Sequence, residues 1–148
     1  MEYTFKRADE AQIQEIYELA GENRREATNH VSDDNRQKMI EAYEHSAKHS
    51  AYFLCLMDGE TLLGWVMIDK AFDFLTGDEI GWVNDLYVKK AYRGRGYSKL
   101  LMEEALKEFE NNGYQDVGLN VYVHNETAMK LYEKIGFRDV NKFMKIKV

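Results

Sequence analysis

The stretch that most constrains this chain begins at Asp85. A short apolar strand-like run, Asp85-Leu86-Tyr87-Val88, leads into a basic turn from Lys89 to Lys99, and a helical pattern follows. The turn carries Lys89, Lys90, Arg93, Arg95 and Lys99, no acid, and glycines at 94 and 96. Tyr97, Leu101, Ala105 and Phe109 then recur four apart, and Leu100, Met102 and Leu106 widen the stripe. A strand, a glycine turn and a helix start together turn backbone amides toward one point, and the helix dipole adds to them. Glycine permits this because no Cβ blocks the approach. Such a unit suits a phosphate. On spacing alone a solvated glycine-rich loop explains it equally well. The run lacks the G-K-S/T ending of the nucleotide P-loop, and Lys99 breaks the dinucleotide fingerprint.

The rest of the chain is acidic. Twenty-six Asp and Glu against 20 Lys and Arg leave a net charge of -6, which argues against a nucleic-acid partner, whose binding needs an extended basic face. At 148 residues without proline, repeats or a shift in composition, a single domain spanning 1–148 is expected. Cys55, the sole cysteine, lies in an apolar run and reads as a buried inert thiol. His30, His45 and His49 show no ligand spacing with one another or with Cys55, so no metal is expected. No apolar run approaches the ~20 residues of a membrane helix, and the first residues form no apolar leader. The expectation is a cytoplasmic protein without a membrane partner.

The remaining elements follow from patterning. Tyr3 to Lys6 reads as a first strand. Asp9 and Gln12 form a capping box for a helix carrying Ile13, Ile16 and Ala20, and Gly21 is a natural stop. Residues 21–35 read as a polar loop, with a second helix after Ser32 or Asp33. Ala51 to Met57 and Thr61 to Ile68 make a hairpin around Asp58-Gly59. The segment with Phe72, Phe74 and Leu75 reads as a packed loop or strand extension. Ile80 to Val88 and Asp116 to Val123 are strands. Asn125 caps a last helix with Leu131, Tyr132 and Ile135, stopped by Gly136. Phe137 to Asp139 and Phe143 to Val148 look like two final strands. This order is a mixed α/β arrangement around one partly antiparallel sheet.

Two ordered motifs carry a family resemblance. The first is Arg93-Gly94-Arg95-Gly96-Tyr97-Ser98, with Ser98 where Gly or Ala is usual. The second is Val121, Asn125, Ala128, Leu131, Tyr132, Gly136 and Phe137. Together they make the chain resemble the GNAT superfamily of acyl-CoA-dependent N-acetyltransferases over essentially its whole length. The resemblance implies a single mixed, mostly antiparallel sheet of about seven strands with about four flanking helices. It implies that the strands ending at Val88 and Val123 splay apart. The pantetheine arm of acetyl-CoA would then pair with the backbone of Leu86, Tyr87 and Val88. The pyrophosphate would lie on Arg93, Gly94, Arg95, Gly96, Tyr97 and Ser98, and Asn125 would hold the donor or the loop beside it.

The implied reaction is direct attack of a primary amine on the thioester. Tyr132 is the expected acid for the departing thiolate, and Asp85 the expected base. Glu79 and Glu22 are lesser candidates, and His124 reads as a surface histidine. Strand alternation puts Asn84 and Asp85 on opposite faces, so one of them alone would face the amine. The acceptor side is expected to carry Glu22, Glu26, Asp33, Asp34, Glu41, Asp73, Asp78 and Glu79, which suits a small cationic amine. Trp65, Trp82, Phe72 and Phe74 could wall it. A non-catalytic acyl-CoA sensor and a protein or peptide N-acetyltransferase are the alternatives. The aromatics near Phe72 and the terminal strand leave room for a homodimer.

Overall fold

The computed structural model describes residues 2–29 and 35–148, so the expected roles of His30, Ser32, Asp33 and Asp34 fall outside the described residues. The elements run β1 (Tyr3–Arg7), α1 (Glu10–Glu18), α2 (Ala20–Thr28), α3 (Arg36–Lys48), β2 (Tyr52–Asp58), β3 (Thr61–Phe72), β4 (Glu79–Val88), a 3-10 turn (Lys90–Tyr92), α4 (Tyr97–Asn111), β5 (Val117–Leu119) and α5 (Glu126–Ile135). The strands lie in one sheet in the order β1-β2-β3-β4-β5. The first three pairings are antiparallel, and β4 to β5 is parallel.

Local chemistry sets the helix starts. Asp9 Oδ1 accepts the amides of Ala11 and Gln12, while Gln12 Oε1 accepts the Asp9 amide at 2.9 Å, a complete capping box. Asn35 caps α3 through the Lys38 amide, and Asn125 caps α5 through the Ala128 amide.

Both faces of the central strands are covered, which is why β2 and β3 read as nearly continuous apolar runs. On one face Ile16, Ala20, Ile40 and Tyr43 of α1–α3 pack on Phe53, Cys55, Met57, Trp65, Met67 and Tyr87. On the other, Leu101, Met102, Ala105 and Phe109 of α4 pack on Leu54, Leu56, Leu63, Val66, Val83 and Val88. Cys55 is fully buried, and that burial pushes its thiol up to about 12. Gly81 and Gly64 are positions of close approach: an added Cβ would lie 2.5 Å from the Phe109 ring at Gly81 and 2.6 Å from the Tyr87 carbonyl oxygen at Gly64.

Four expectations are corrected. Gly21 does not stop a helix; α1 ends at Glu18, and residues 20–28 form α2 rather than a loop, with Ala20, Gly21 and Asn23 buried. Five α-helices flank the sheet among the described residues, rather than about four. The described sheet has five strands rather than about seven, because 137–139 and 143–148 form none. The strand expected over Asp116 to Val123 is three residues, Val117–Leu119. A short run of alternating apolar residues is no strand without a partner edge. Phe143 and Ile146 are accordingly exposed. The segment around Phe74 and Leu75 is an exposed hairpin tip beyond a long β3, closed by Asp73 and Asp78 backbone bonds.

Candidate acyl-transfer site

The site forms where β4 leaves β5. Their ladder joins Gly81, Trp82 and Val83 to Val117, Gly118 and Leu119 and then ends. From Asp85 to Val88, β4 pairs with β3 and, among the described residues, with no strand on its other side. Backbone groups on the open side are available to a ligand that adds along the strand.

A β-bulge sets what faces this opening. Met67 pairs with Asp85, but Ile68 pairs with Val83, so Asn84 is an extra residue in β4. The phase of the strand shifts there. Val83 packs toward α4, whereas Tyr87 packs toward α1–α3. The expected opposition of Asn84 and Asp85 therefore does not hold: Asn84 donates to Ser46 Oγ of α3 at 3.1 Å, and Asp85 bonds Tyr43 of the same helix.

Asp85 is the most heavily bonded side chain of the site. Its Oδ2 accepts the Tyr43 hydroxyl at 2.7 Å, Trp65 Nε1 at 2.9 Å and Asn23 Nδ2 at 3.0 Å. Its Oδ1 takes the longer Asn23 contact, 3.2 Å. Burial pushes the carboxyl above its ordinary range, and the donors from Tyr43, Trp65 and Asn23 oppose that rise. Sequence reasoning found Asp85 but missed Asn23 and Tyr43. Asn23 is a buried polar residue on a helix read as a loop, and apolar periodicity does not register it.

Tyr132 of α5 joins this region. Its ring packs edge-on to Phe137, 5.8 Å between centroids, against the α4 side of the core. Burial, followed by repulsion from Asp85, raises its hydroxyl to about 12, so it stays protonated at neutral pH. Tyr132 packs on the α4 side of the sheet, whereas Asp85 bonds Tyr43 and Trp65 of the α1–α3 side. The Asn125 side-chain oxygen is committed to capping α5.

The basic turn sits at the end of β4. Gly94 and Gly96 adopt φ of 80° and 81°, left-handed values that favour glycine, with open space where a Cβ would stand. Gly96 is the N-cap of α4 and offers no side-chain cap; the first intrahelical bond runs from the Leu100 amide to Gly96. The Ser98 and Lys99 amides, in the first turn, point out of the helix end, where the dipole favours an anion. The basic side chains divide into two groups. Arg95 is exposed with its guanidinium 5.9 Å from the Tyr92 ring centroid, and Lys99 lies 3.8 Å from Glu103. Lys89 and Arg93 turn instead toward Glu15 and Glu26 of α1–α2, while Lys90 is largely exposed with its ammonium 3.8 Å from Glu22. Arg93 also donates from Nε to the Val88 carbonyl at 2.8 Å.

Other candidates lie elsewhere. Glu79 opens β4 at the far end and accepts the Tyr114 hydroxyl at 3.0 Å. His124 is exposed and stacked on Tyr122. Glu41 is an exposed partner of Gln37, and Trp82 packs on Gly118. Phe72 and Phe74 project at the hairpin tip. Among the described residues no His, Cys, Asp and Glu cluster could hold a metal ion, and no helix is long and apolar enough to cross a membrane.

Comparison with known proteins bears on the family and the fold. The acetyltransferase (GNAT) family model matches residues 13–137. The uncharacterized N-acetyltransferase YycN of Bacillus subtilis is 27% identical over 92 residues, 62% of this chain and 58% of that protein. N-alpha-acetyltransferase 30 of Schizosaccharomyces pombe is 39% identical over 82 residues, 55% of this chain and 53% of that protein. The chain thus spans between half and three fifths of the length of these two relatives. A solved structure from Pyrococcus furiosus, provisionally described as an acetyl transferase, superposes with a TM-score of 0.81 at 25% identity, covering 99% of this chain and all of that one.

Proposed function

Because this chain belongs to the GNAT acetyltransferase family, we propose that it transfers an acetyl group from acetyl-CoA to a primary amine of a small acceptor by direct attack. The observation that carries the reading is the junction of β4 and α4: the β4 edge beyond Val83, unpaired on the β5 side, carries Asp85 and runs through the glycine turn into the uncapped start of α4 at Gly96.

These residues fit the donor. The turn offers left-handed glycines with open space, an uncapped helix start, and two cations, Arg95 and Lys99, on its outer side. The β4 backbone from Leu86 to Val88 is the edge along which the pantetheine arm would pair. An amide of this edge would polarise the thioester carbonyl. The amine must be neutral to attack, so its proton passes to Asp85, directly or through water. A carboxyl raised by burial is a better base near neutral pH than an ordinary one. Oδ1, the less committed oxygen, is the one we assign to this task. As the C–S bond breaks, the Tyr132 hydroxyl gives its proton to the sulfur. Asn125 supports this by fixing the start of α5, the helix that carries Tyr132.

A second reading is acetylation of a protein N-terminus. Its support is the 39% identity to N-alpha-acetyltransferase 30 of Schizosaccharomyces pombe over 55% of this chain. The acidic residues Glu22 and Glu26 are paired with Lys90 and Arg93, which weakens the case for a strongly cationic acceptor. A panel of small amines and peptides with free N-termini, assayed with acetyl-CoA for thiol release, separates the two. Small amines alone reacting supports the first reading, and peptides alone the second. Donor binding with no thiol release from either class would leave an acyl-CoA sensor and overturn both.

A further inference from the structure

The inward half of the basic turn and the buried carboxylate Asp85 belong to one closed circuit of contacts. Arg93 Nη2 donates to Glu26 Oε2 at 2.8 Å. Its Cζ lies 5.1 Å from the centroid of the Tyr87 ring. Tyr87 stacks on Trp65 with 4.8 Å between centroids and 30° between planes. Trp65 Nε1 donates to Asp85 at 2.9 Å. Asp85 in turn accepts from Asn23 at 3.0 Å, and Asn23 lies on α2 three residues before Glu26. The circuit returns to its start through one helix.

Two features make this more than adjacency. The Tyr87 hydroxyl is buried, and its ring is packed by the Trp65 indole and by the Arg93 guanidinium. Burial, then Glu26 and Glu22, raise that hydroxyl to about 12, and Arg93 opposes the rise. Asn23 is the one buried polar residue of the described core, and its amide has Asp85 and Tyr43 as partners. Coupling between sites is carried by packed side chains, hydrogen bonds and ion pairs, and each link of this circuit is one of these.

We infer that α2 couples the donor turn to the acceptor-side carboxylate: Glu26 through Arg93, and Asn23 through Asp85, act as positioning residues, and occupancy of the turn is transmitted to Asp85 along this circuit. The inference rests on the donor reading above. Anionic phosphate at the turn competes with Glu26 for the Arg93 charge. A change in that ion pair alters how Arg93 loads the Tyr87–Trp65 stack, and Trp65 reports directly to Asp85.

Trp65 is also the probe. The chain has two tryptophans, and Trp65 is fully buried, so it offers no open surface to a ligand. In a Trp82→Phe protein, emission comes from Trp65 alone. Acetyl-CoA is titrated to saturation, with binding followed independently by calorimetry. We expect a saturable emission change that tracks binding. Adding Glu26→Gln, an isosteric change at a side chain about one third exposed, should remove most of that change at saturation without shifting the melting temperature by more than a few degrees. Arg93→Lys, which keeps the charge but cannot hold Val88 and Glu26 together, should do the same. An equal emission change in the parent and both variants, or no change in the parent despite saturable binding, overturns the coupling. Absence of acetyl-CoA binding in both the Trp82→Phe and the unaltered protein overturns the donor reading instead.

Discussion

Replacing Asp85 by alanine tests the site's architecture without any ligand. The carboxylate receives Tyr43, Trp65 and Asn23. Its loss does not orphan all three. Asn23 Nδ2 keeps the Tyr43 oxygen as an acceptor at 3.1 Å. Trp65 Nε1 and the Tyr43 hydroxyl proton are left with nothing, and both residues are buried, Trp65 completely. An orphaned buried donor costs about 1–3 kcal/mol, so two cost about 2–6 kcal/mol. Relief from burying a carboxylate offsets part of this, as the raised Asp85 pKa indicates. The net expectation is a loss of about 2–4 kcal/mol in urea unfolding, at unchanged m-value. A cycle sharpens it. Trp65→Phe removes the indole donor, and in the Asp85→Ala background that donor is already orphaned. Trp65→Phe should therefore cost clearly less there than in the parent, by about 1 kcal/mol or more. A loss under about 1 kcal/mol for Asp85→Ala, or strict additivity in the cycle, would refute the bonding scheme.

Three further outcomes follow from the same geometry. Tyr132→Phe should lower kcat by about 10²–10⁴ at neutral pH, the usual worth of a positioned acid. The deficit should narrow as pH passes the ordinary thiol value of about 8.5, where the thiolate needs no proton; an unchanged kcat at all pH values removes Tyr132 from the mechanism. Gly96→Ala places a Cβ in open space but at φ of 81°, so its cost is conformational, about 1–2 kcal/mol. Calorimetry should show weakened acetyl-CoA binding, whereas equal affinity and melting temperature would show that the turn does not need that conformation. Asp85 also leaves a signature in pH dependence. Its folded pKa is raised above the ordinary 3.8, so between those values the folded state binds more protons than the unfolded one. Its contribution to stability therefore falls as pH rises through that window. Urea midpoints measured against pH for the parent and Asp85→Asn should differ by that slope; parallel curves would show no raised carboxyl.

Much of the site was legible in the sequence because its logic is local. The strand, glycine turn and helix from Asp85 to Phe109 lie on consecutive residues, and left-handed φ at Gly94 and Gly96 is what glycine at a tight turn announces. The Asp9 capping box and the Asp58-Gly59 hairpin are local in the same way. What escaped depends on tertiary contact. α2 has a polar sequence and a glycine at its second position, yet it is helical because Ala20, Gly21 and Asn23 pack into the fold. The bulge at Asn84 arises from pairing with β3, and it decides which β4 side chains meet α3. The Arg93–Glu26 pair joins residues 67 apart in sequence. The final apolar segments carry strand-like alternation, but no neighbouring edge takes them up.

The most direct test of the account is an acetyl-CoA assay of released thiol across primary amines and peptide N-termini, run on the unaltered protein and on Tyr132→Phe in parallel. The account predicts saturable, amine-dependent thiol release by the first and a loss of about two orders of magnitude or more in the second. Saturable binding of acetyl-CoA with no amine-dependent release by the unaltered protein would contradict it.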